Sequence, residues 1–300
     1  MRILVSGATG LIGSALVRHL TAGGDEVTRL TRAQPRPGEA AIRWDPAAGT
    51  LEPADLEGFD AVIHLAGESI AGGRWTAAKK ARIRESRVRG TGLLAECLAR
   101  STRPPRVLLS ASAIGYYGNR GDEDIDEQSP PGSGFLPEVC RDWEAAAQPA
   151  EAAGIRLVYL RTGLVLSPAG GALAKMLPPF RLGLGGRIGS GWQYVSWITL
   201  HDEVEAIRHA IVTDSLAGPV NLVAPGPVTN RELTRALGRV LRRPALLPAP
   251  AFALRIMLGE MAEALLLSGA RVLPRRLLDT GFTFRDPELE GALARLLAGG

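Results

Sequence analysis

Val5–Leu16, "VSGATGLIGSAL", decides the fold, because it sets Gly7, Gly10 and Gly13 between two apolar runs of different period. The run before it, "RILV" from Arg2, is short, continuous and rich in branched residues, as suits a strand buried on both faces. The run after it, "GLIGSALVRHLTAGG", repeats apolar residues at helical spacing and stops at Gly23-Gly24. Each glycine has its own physical task. The first permits a tight turn, the second lets backbone approach a pyrophosphate, and the third lets the helix pack on the strand. Phosphates would then face the free N–H groups and the positive end of the helix dipole. Gly7, Thr9, Gly10, Leu11, Ile12 and Gly13 are therefore the expected nucleotide-binding turn.

Working outward, strands and helices alternate. "EVTRLTR", "DAVIHLAG", "RVLLSASA" and "RLVYLRTGLVLS" read as strands. Helices are expected over Thr76 to Ser101 and over "EVCRDWEAAAQPAEAAG". The pattern predicts an α/β fold: a Rossmann-type doubly wound parallel sheet with a smaller, mainly helical C-terminal region on the substrate side. The expected nucleotide domain is 1–166, with a further strand and helix from about 192–225. Residues 167–300 form the substrate-side region, including a C-terminal module at about 248–297. "PAGGALAKMLPPFRLGLGGRIGSGWQ" is expected to be a long glycine-rich loop.

The second strand chooses the cofactor. An NAD enzyme places Asp or Glu at the end of that strand to hold the ribose hydroxyls. Here the end reads Leu30-Thr31-Arg32, while Asp25 and Glu26 lie at the opposite end. A guanidinium at 32 suits a 2′-phosphate, which predicts NADP(H), with Thr31 and Arg32 at the adenosine end.

Composition excludes several other classes. Net charge is +4 and hydrophobic content 46%, enough for a large core. Positive residues are scattered among acids with no basic aromatic face, so no nucleic-acid partner is expected. Two cysteines, Cys97 and Cys140, and four histidines make no disulfide framework and no metal-ligand spacing, so no metal is expected. Met1-Arg2 runs directly into a core strand, leaving no room for a signal peptide. "AFALRIMLGEMAEALLL" carries Arg255, Glu260 and Glu263, which reads as an amphipathic helix and not a span. A cytoplasmic protein without membrane contact is expected.

From here the chain resembles the extended short-chain dehydrogenase/reductase superfamily. More narrowly it resembles the atypical "epimerase family" branch that has its own C-terminal domain. The motifs "SGATGLIG", "HLAGESI", "SRVRGT", "SASAIGYYG", "RDWEAAA", "LRTGLVLSPAGGAL" and "PFRLGLGGRIGSGWQYVSWI" carry the likeness, with "GEMAEALLLSGARVLPRRLLDTGF" near the end. The resemblance implies further cofactor contacts at Leu65, Ala66 and Gly67, at Arg87 and at Arg161. It also makes Gln193 and Trp197 liners of the substrate side.

In that superfamily a serine and a tyrosine serve the reacting oxygen, and a lysine four residues on lowers the phenol pKa. The resemblance places the serine at Ser112, the expected catalytic residue. Counting back from Glu144, the tyrosine position holds Leu136 and the lysine position Cys140. Leucine has no proton to give, and a thiol lacks the positive charge. Tyr116, Tyr117, Cys140, Glu138, Asp142 and His201 are the remaining groups able to move a proton. The expected function is an NADP(H)-dependent oxidoreductase or epimerase acting on a small or nucleotide-linked carbonyl or alcohol. The alternative is a non-catalytic NADP(H)-binding regulator, division-related, acting through a protein partner. A homodimer is expected only by analogy with the superfamily.

Overall fold

The computed structural model describes residues 1–298. β1 (Arg2–Ser6) enters α1 (Leu11–Ala22), and β2 (Glu26–Thr31) and β3 (Ala41–Arg43) follow. β4 (Ala61–His64) leads to the long α2 (Ala77–Ala99) and then to β5 (Val107–Ala113). After the short β6 (Asp124–Ile125) come α3 (Phe135–Ala146), α4 (Gln148–Ala152) and β7 (Arg156–Thr162). β8 (Leu164–Ser167), α5 (Gly171–Arg181), β9 (Tyr194–Val195) and β10 (Trp197–Thr199) precede α6 (Leu200–Val212) and β11 (Gly218–Leu222). β12 (Val228–Thr229) and α7 (Asn230–Leu241) then pass to α8 (Ala251–Leu258) and α9 (Glu260–Ala262). The chain closes with β13 (Arg271–Val272), α10 (Arg275–Asp279) and α11 (Leu289–Leu297).

Seven of these strands form one sheet in the order β11-β7-β5-β4-β1-β2-β3, every pair parallel. The order reverses between β1 and β4, and such a switch point opens a crevice at the strands' carboxyl ends. Both faces are covered, which explains the continuous apolar runs. Ile3, Val5, Ile63, Leu109 and Val158 pack with α1 and α6 on one face. Leu4, Val62, Leu108 and Leu157 pack with α2 and α4 on the other.

Local chemistry sets the ends of the helices. Thr76 caps α2 by accepting from Lys79 N, and Thr229 with Glu232 makes a reciprocal capping box on α7. Three expected elements differ. The helix expected over "EVCRDWEAAAQPAEAAG" breaks at Ala147, where Pro149 cannot donate and opens a second helix instead. The glycine-rich loop contains α5, which runs into Pro178 and Pro179. "AFALRIMLGEMAEALLL" is interrupted at Gly259, whose φ of +61° ends α8. No described helix is long and apolar enough to cross a membrane.

Candidate functional site

The glycine turn fits around its own backbone with no space to spare. Gly7 has φ +68°, and a Cβ there would lie 2.7 Å from the Leu65 carbonyl carbon. A Cβ on Gly13 would fall 2.2 Å from the Gly7 oxygen, so α1 approaches the turn as only glycine allows. Gly10 N donates to Gly7 O at 3.0 Å, and Gly10 stands at the N-cap of α1. α1 has no side-chain cap and no acid in its first turn. Its leading N–H groups are thus free to receive an anion.

Arg32 follows the last residue of β2; it is exposed and has no hydrogen-bond or ion-pair partner among the described residues. Thr31 Oγ1 accepts from Ala33 N at 3.2 Å and shapes the turn that carries it. On the next strand over, Ser6 Oγ accepts from Leu65 N and Ala66 N at 3.1 and 3.3 Å. It also meets His64 Nδ1 at 2.7 Å. Burial holds the His64 imidazole down at about 4, so it is neutral and acts as a rigid post under the β4 end. Gly67 lies beneath Arg87: a Cβ there would stand 3.4 Å from the guanidinium carbon. Arg87 Nη1 donates to Glu68 O and Ile83 O, and the guanidinium lies 4.8 Å from the Trp143 ring centre. Its other nitrogens have no partner among the described residues. Glu68 is paired with Lys79 at 2.6 Å, and that contact holds its carboxyl below the usual range.

A different arrangement occupies the middle of the sheet. Arg161, on β7, is buried and clamps Glu144 of α3 with Nε and Nη2, both at 2.8 Å. Its Nη1 donates to Tyr117 Oη at 2.9 Å. Tyr117 in turn donates to Asn221 Oδ1 at 2.7 Å, and burial pushes its phenol up to about 12. Ser112 Oγ gives its proton to Glu144 Oε1 at 2.7 Å. Burial works against the Arg161 charge, but the Glu144 carboxylate outweighs it and raises the guanidinium further. The Tyr116 ring stacks on Arg161 at 3.5 Å, and its hydroxyl has no partner among the described residues.

Several of the expected site residues have partners within the protein. Arg161 spends three of its five N–H donors inside the protein, two on Glu144 and one on Tyr117. Ser112 likewise spends its proton on Glu144. Gln193 is not a free liner: its amide donates to Ile188 O and Leu266 O at 3.0 and 2.7 Å. Trp197 is fully buried and donates to Gly226 O. Glu138 and Asp142 pair with Arg84, while His201 lies beside Glu205 at 3.9 Å. Cys140 is buried, and desolvation pushes its thiol up to about 12, which makes it inert at neutral pH. Leu136 packs in an apolar cluster with Trp75, Phe135, Leu258, Met261 and Leu265, so the C-terminal region roofs the position where a tyrosine was expected.

Two groups escaped the sequence reading. Glu144 served only as a counting mark, yet it is the hub that ties Ser112 to Arg161. Glu203 is buried in the first turn of α6; Oε1 accepts from Thr162 Oγ1 at 2.9 Å and Oε2 has no partner among the described residues. Desolvation pushes its carboxyl up to about 8. Its only sequence signal was a second acid, next to Asp202, on an otherwise apolar helix face. No described group of His, Cys, Asp and Glu is arranged to hold a metal ion.

A seven-stranded parallel sheet, its order reversing beside a glycine turn that opens an uncapped helix, defines a Rossmann-type nucleotide fold with an added C-terminal region. The chain belongs to the NAD dependent epimerase/dehydratase family, whose model matches residues 3–223. Residues 249–296 match a separate domain of unknown function, DUF1731. The epimerase family protein Mb2239 of Mycobacterium bovis is 45% identical over 291 residues, covering 97% of this chain and 96% of that one. The crystal structure of human epimerase family protein SDR39U1 (isoform 2) with NADPH superposes with a TM-score of 0.91. It is 37% identical, and the match covers 100% of both chains. A structure described as the nucleoside-diphosphate sugar epimerase from Corynebacterium glutamicum gives a TM-score of 0.80 at 38% identity. That match covers 99% of this chain and 58% of that one.

Proposed function

We propose that this chain binds NADP(H) and is an oxidoreductase or epimerase that exchanges hydride with a small or nucleotide-linked carbonyl or alcohol. The observation that carries the proposal is an uncapped α1 after β1 together with an exposed Arg32 after the neighbouring β2, without a partner among the described residues. The NADPH named with the human relative supports the same cofactor. Backbone at Gly7, Thr9, Gly10, Leu11, Ile12 and Gly13 would hold the pyrophosphate. Thr31 and Arg32 would take the 2′-phosphate, Leu65, Ala66 and Gly67 would flank the adenosine side, and Arg87 would reach the ribose region. The cofactor, when bound, supplies or accepts the hydride. This chain's own residues then have to position the substrate and provide a proton to its oxygen. Ser112, Tyr117 and Cys140 are poor donors for the reasons given. Tyr116 is the remaining tyrosine at the β5 end; it follows Gly115, which lies against Leu136. Turnover is tested by following NADPH absorbance over a panel of aldehydes, ketones and nucleotide sugars. Loss of signal with at least one substrate, suppressed in Tyr116→Phe, is expected.

A second reading, a non-catalytic NADP(H)-binding regulator, is favoured by one observation: the apolar roof over Leu136 beside the inert Cys140. NADPH binding without turnover on any panel member, together with NADPH-dependent capture of a protein partner, would support it.

A further inference from the structure

Glu203 is a buried acid that the proposed reaction does not use. It is 1% exposed, in the first turn of α6, and only one of its carboxyl oxygens is occupied. Oε1 accepts from Thr162 Oγ1 at 2.9 Å, while Oε2 has no partner among the described residues. The start of a helix favours a negative charge, yet burial wins here and pushes the carboxyl up to about 8. The buried acids nearby are fully engaged. Asp202 accepts from Arg285 N and Asp286 N, and Glu144 holds both Arg161 and Ser112. A buried polar atom left without a partner calls for a functional explanation.

Charged groups on the surrounding elements are exposed or bound elsewhere. α6 packs against α1, β5, β7, β8 and β10, and of these β5, β8 and β10 carry no charged residue. From α1, Arg18 is exposed and His19 faces Glu205 at 3.6 Å. From β7, Arg156 donates to Ala210 O and Ile211 O at the far end of α6. Tyr159 and Arg161 alternate with Thr162 and so point to the opposite face, Tyr159 into the α2 side and Arg161 onto Glu144. On α6 itself His201 lies beside Glu205, Arg208 pairs with Asp25 and His209 meets Thr280. In the closing segment Arg285 is exposed, and Asp286 is bound by Thr199 and Arg295. Burial and the Thr162 bond are what set the protonation of Glu203 among the described residues, so a new charge nearby would meet no competitor.

The strand order ties Glu203 to one half of the cofactor. α1 starts after β1 and Arg32 follows β2, so the pyrophosphate and the 2′-phosphate fall on that side of the sheet. A dinucleotide lying across the switch point runs its nicotinamide half the other way, over the carboxyl ends of β4, β5 and β7. Thr162 is the last residue of β7 and stands level with Ala113, the last of β5. Through Thr162, Glu203 is bonded to that row of strand ends. We propose that Glu203 responds to the redox state of the bound nicotinamide, keeping its proton beside the neutral reduced ring and releasing it to solvent beside the cationic oxidised ring. This rests on NADP(H) binding in the crevice and does not require turnover. The two forms of the cofactor differ there by one positive charge, which is weakly screened in a low-dielectric interior and favours an ionised carboxyl. By linkage, the oxidised form binds more tightly as pH rises, and the reduced form shows no such gain.

The test is calorimetric titration of the full chain with NADP+ and with NADPH, each in two buffers of different ionisation enthalpy. With Glu203 about tenfold stronger as an acid in the NADP+ complex, about half a proton is released near pH 7.5. The affinity for NADP+ relative to NADPH then rises about eightfold between roughly pH 6 and pH 9. Taking the ratio cancels the 2′-phosphate and every other group common to both dinucleotides. Glu203→Gln keeps an acceptor for Thr162 and should abolish both differences while both forms still bind. Thr162→Val removes the bond that opposes burial and should move the window to higher pH, a second reading that does not depend on the glutamine variant folding. Equal proton release with the two forms, no release with NADP+, or a difference that survives Glu203→Gln would each overturn the proposal. Binding of neither dinucleotide would defeat the cofactor assignment and this proposal together, an outcome distinct from binding without proton release.

Discussion

Around Gly7 and Arg32 donors have no partners among the described residues, whereas around Ser112 and Arg161 the protein uses them on itself. Both regions lie at or near the carboxyl ends of neighbouring strands in one sheet, and both contain the residue types a hydride-transfer site needs. At the nucleotide end, backbone N–H groups and a guanidinium stand open, as fits a site completed by an anionic ligand. At the other, Ser112, Glu144, Arg161, Tyr117 and Asn221 form a closed chain of short hydrogen bonds. A closed buried network of this kind fixes structure, because breaking it leaves a charge stranded in low dielectric. Motif residues alone do not show which donors are already paired within the protein.

Gly13→Ala should give the largest effect, since its Cβ would fall 2.2 Å from the Gly7 oxygen. NADPH binding measured by cofactor fluorescence should drop at least about a hundredfold, with a lower melting temperature, because backbone cannot yield as a flexible side chain can. Retained affinity would mean that the glycine turn does not hold the pyrophosphate. Glu144→Gln tests the closed side. It leaves buried Arg161 without its counter-charge and should cost about 3 kcal/mol in urea unfolding, within the range for one-sided loss of a buried pair. A cost under about 1 kcal/mol would mean the network behaves like a surface pair.

Arg32→Ala should weaken NADPH about tenfold, as expected for one charge-assisted contact, and leave NADH unchanged. Equal weakening of both would move the phosphate contact elsewhere. A pH-dependent effect concerns Glu203, whose buried carboxyl sits at about 8 instead of its ordinary 4.5. A raised carboxyl pKa means the folded state holds the proton more tightly than the unfolded chain. Its stability contribution is therefore complete below 4.5 and is lost as pH rises through 8. Glu203→Gln should flatten the decline in melting temperature across that window. An unaltered profile would show that Glu203 is ionised when folded.

The nucleotide half was legible because its signals are local. Glycine spacing, a preceding strand and the residue ending β2 all lie within 32 residues of the start. The buried network was not, because its members come from β5, α3, β7 and β11, and only the fold brings Ser112, Glu144, Arg161 and Asn221 together. The pairing of Arg161 with Glu144 was hidden too, since a strand-end guanidinium gives no hint of which carboxylate will meet it. The split at Gly259 was also hidden, for a glycine in an apolar run shows its positive φ only once the backbone is traced.

Calorimetric titration of the purified chain with NADPH and then with NADH reads out the open nucleotide crevice. Saturable binding of NADPH, about tenfold tighter than NADH, is the predicted result. Indifference to both dinucleotides, or a preference for NADH, would contradict the assignment of an open, phosphate-seeking crevice beside Gly7 and Arg32.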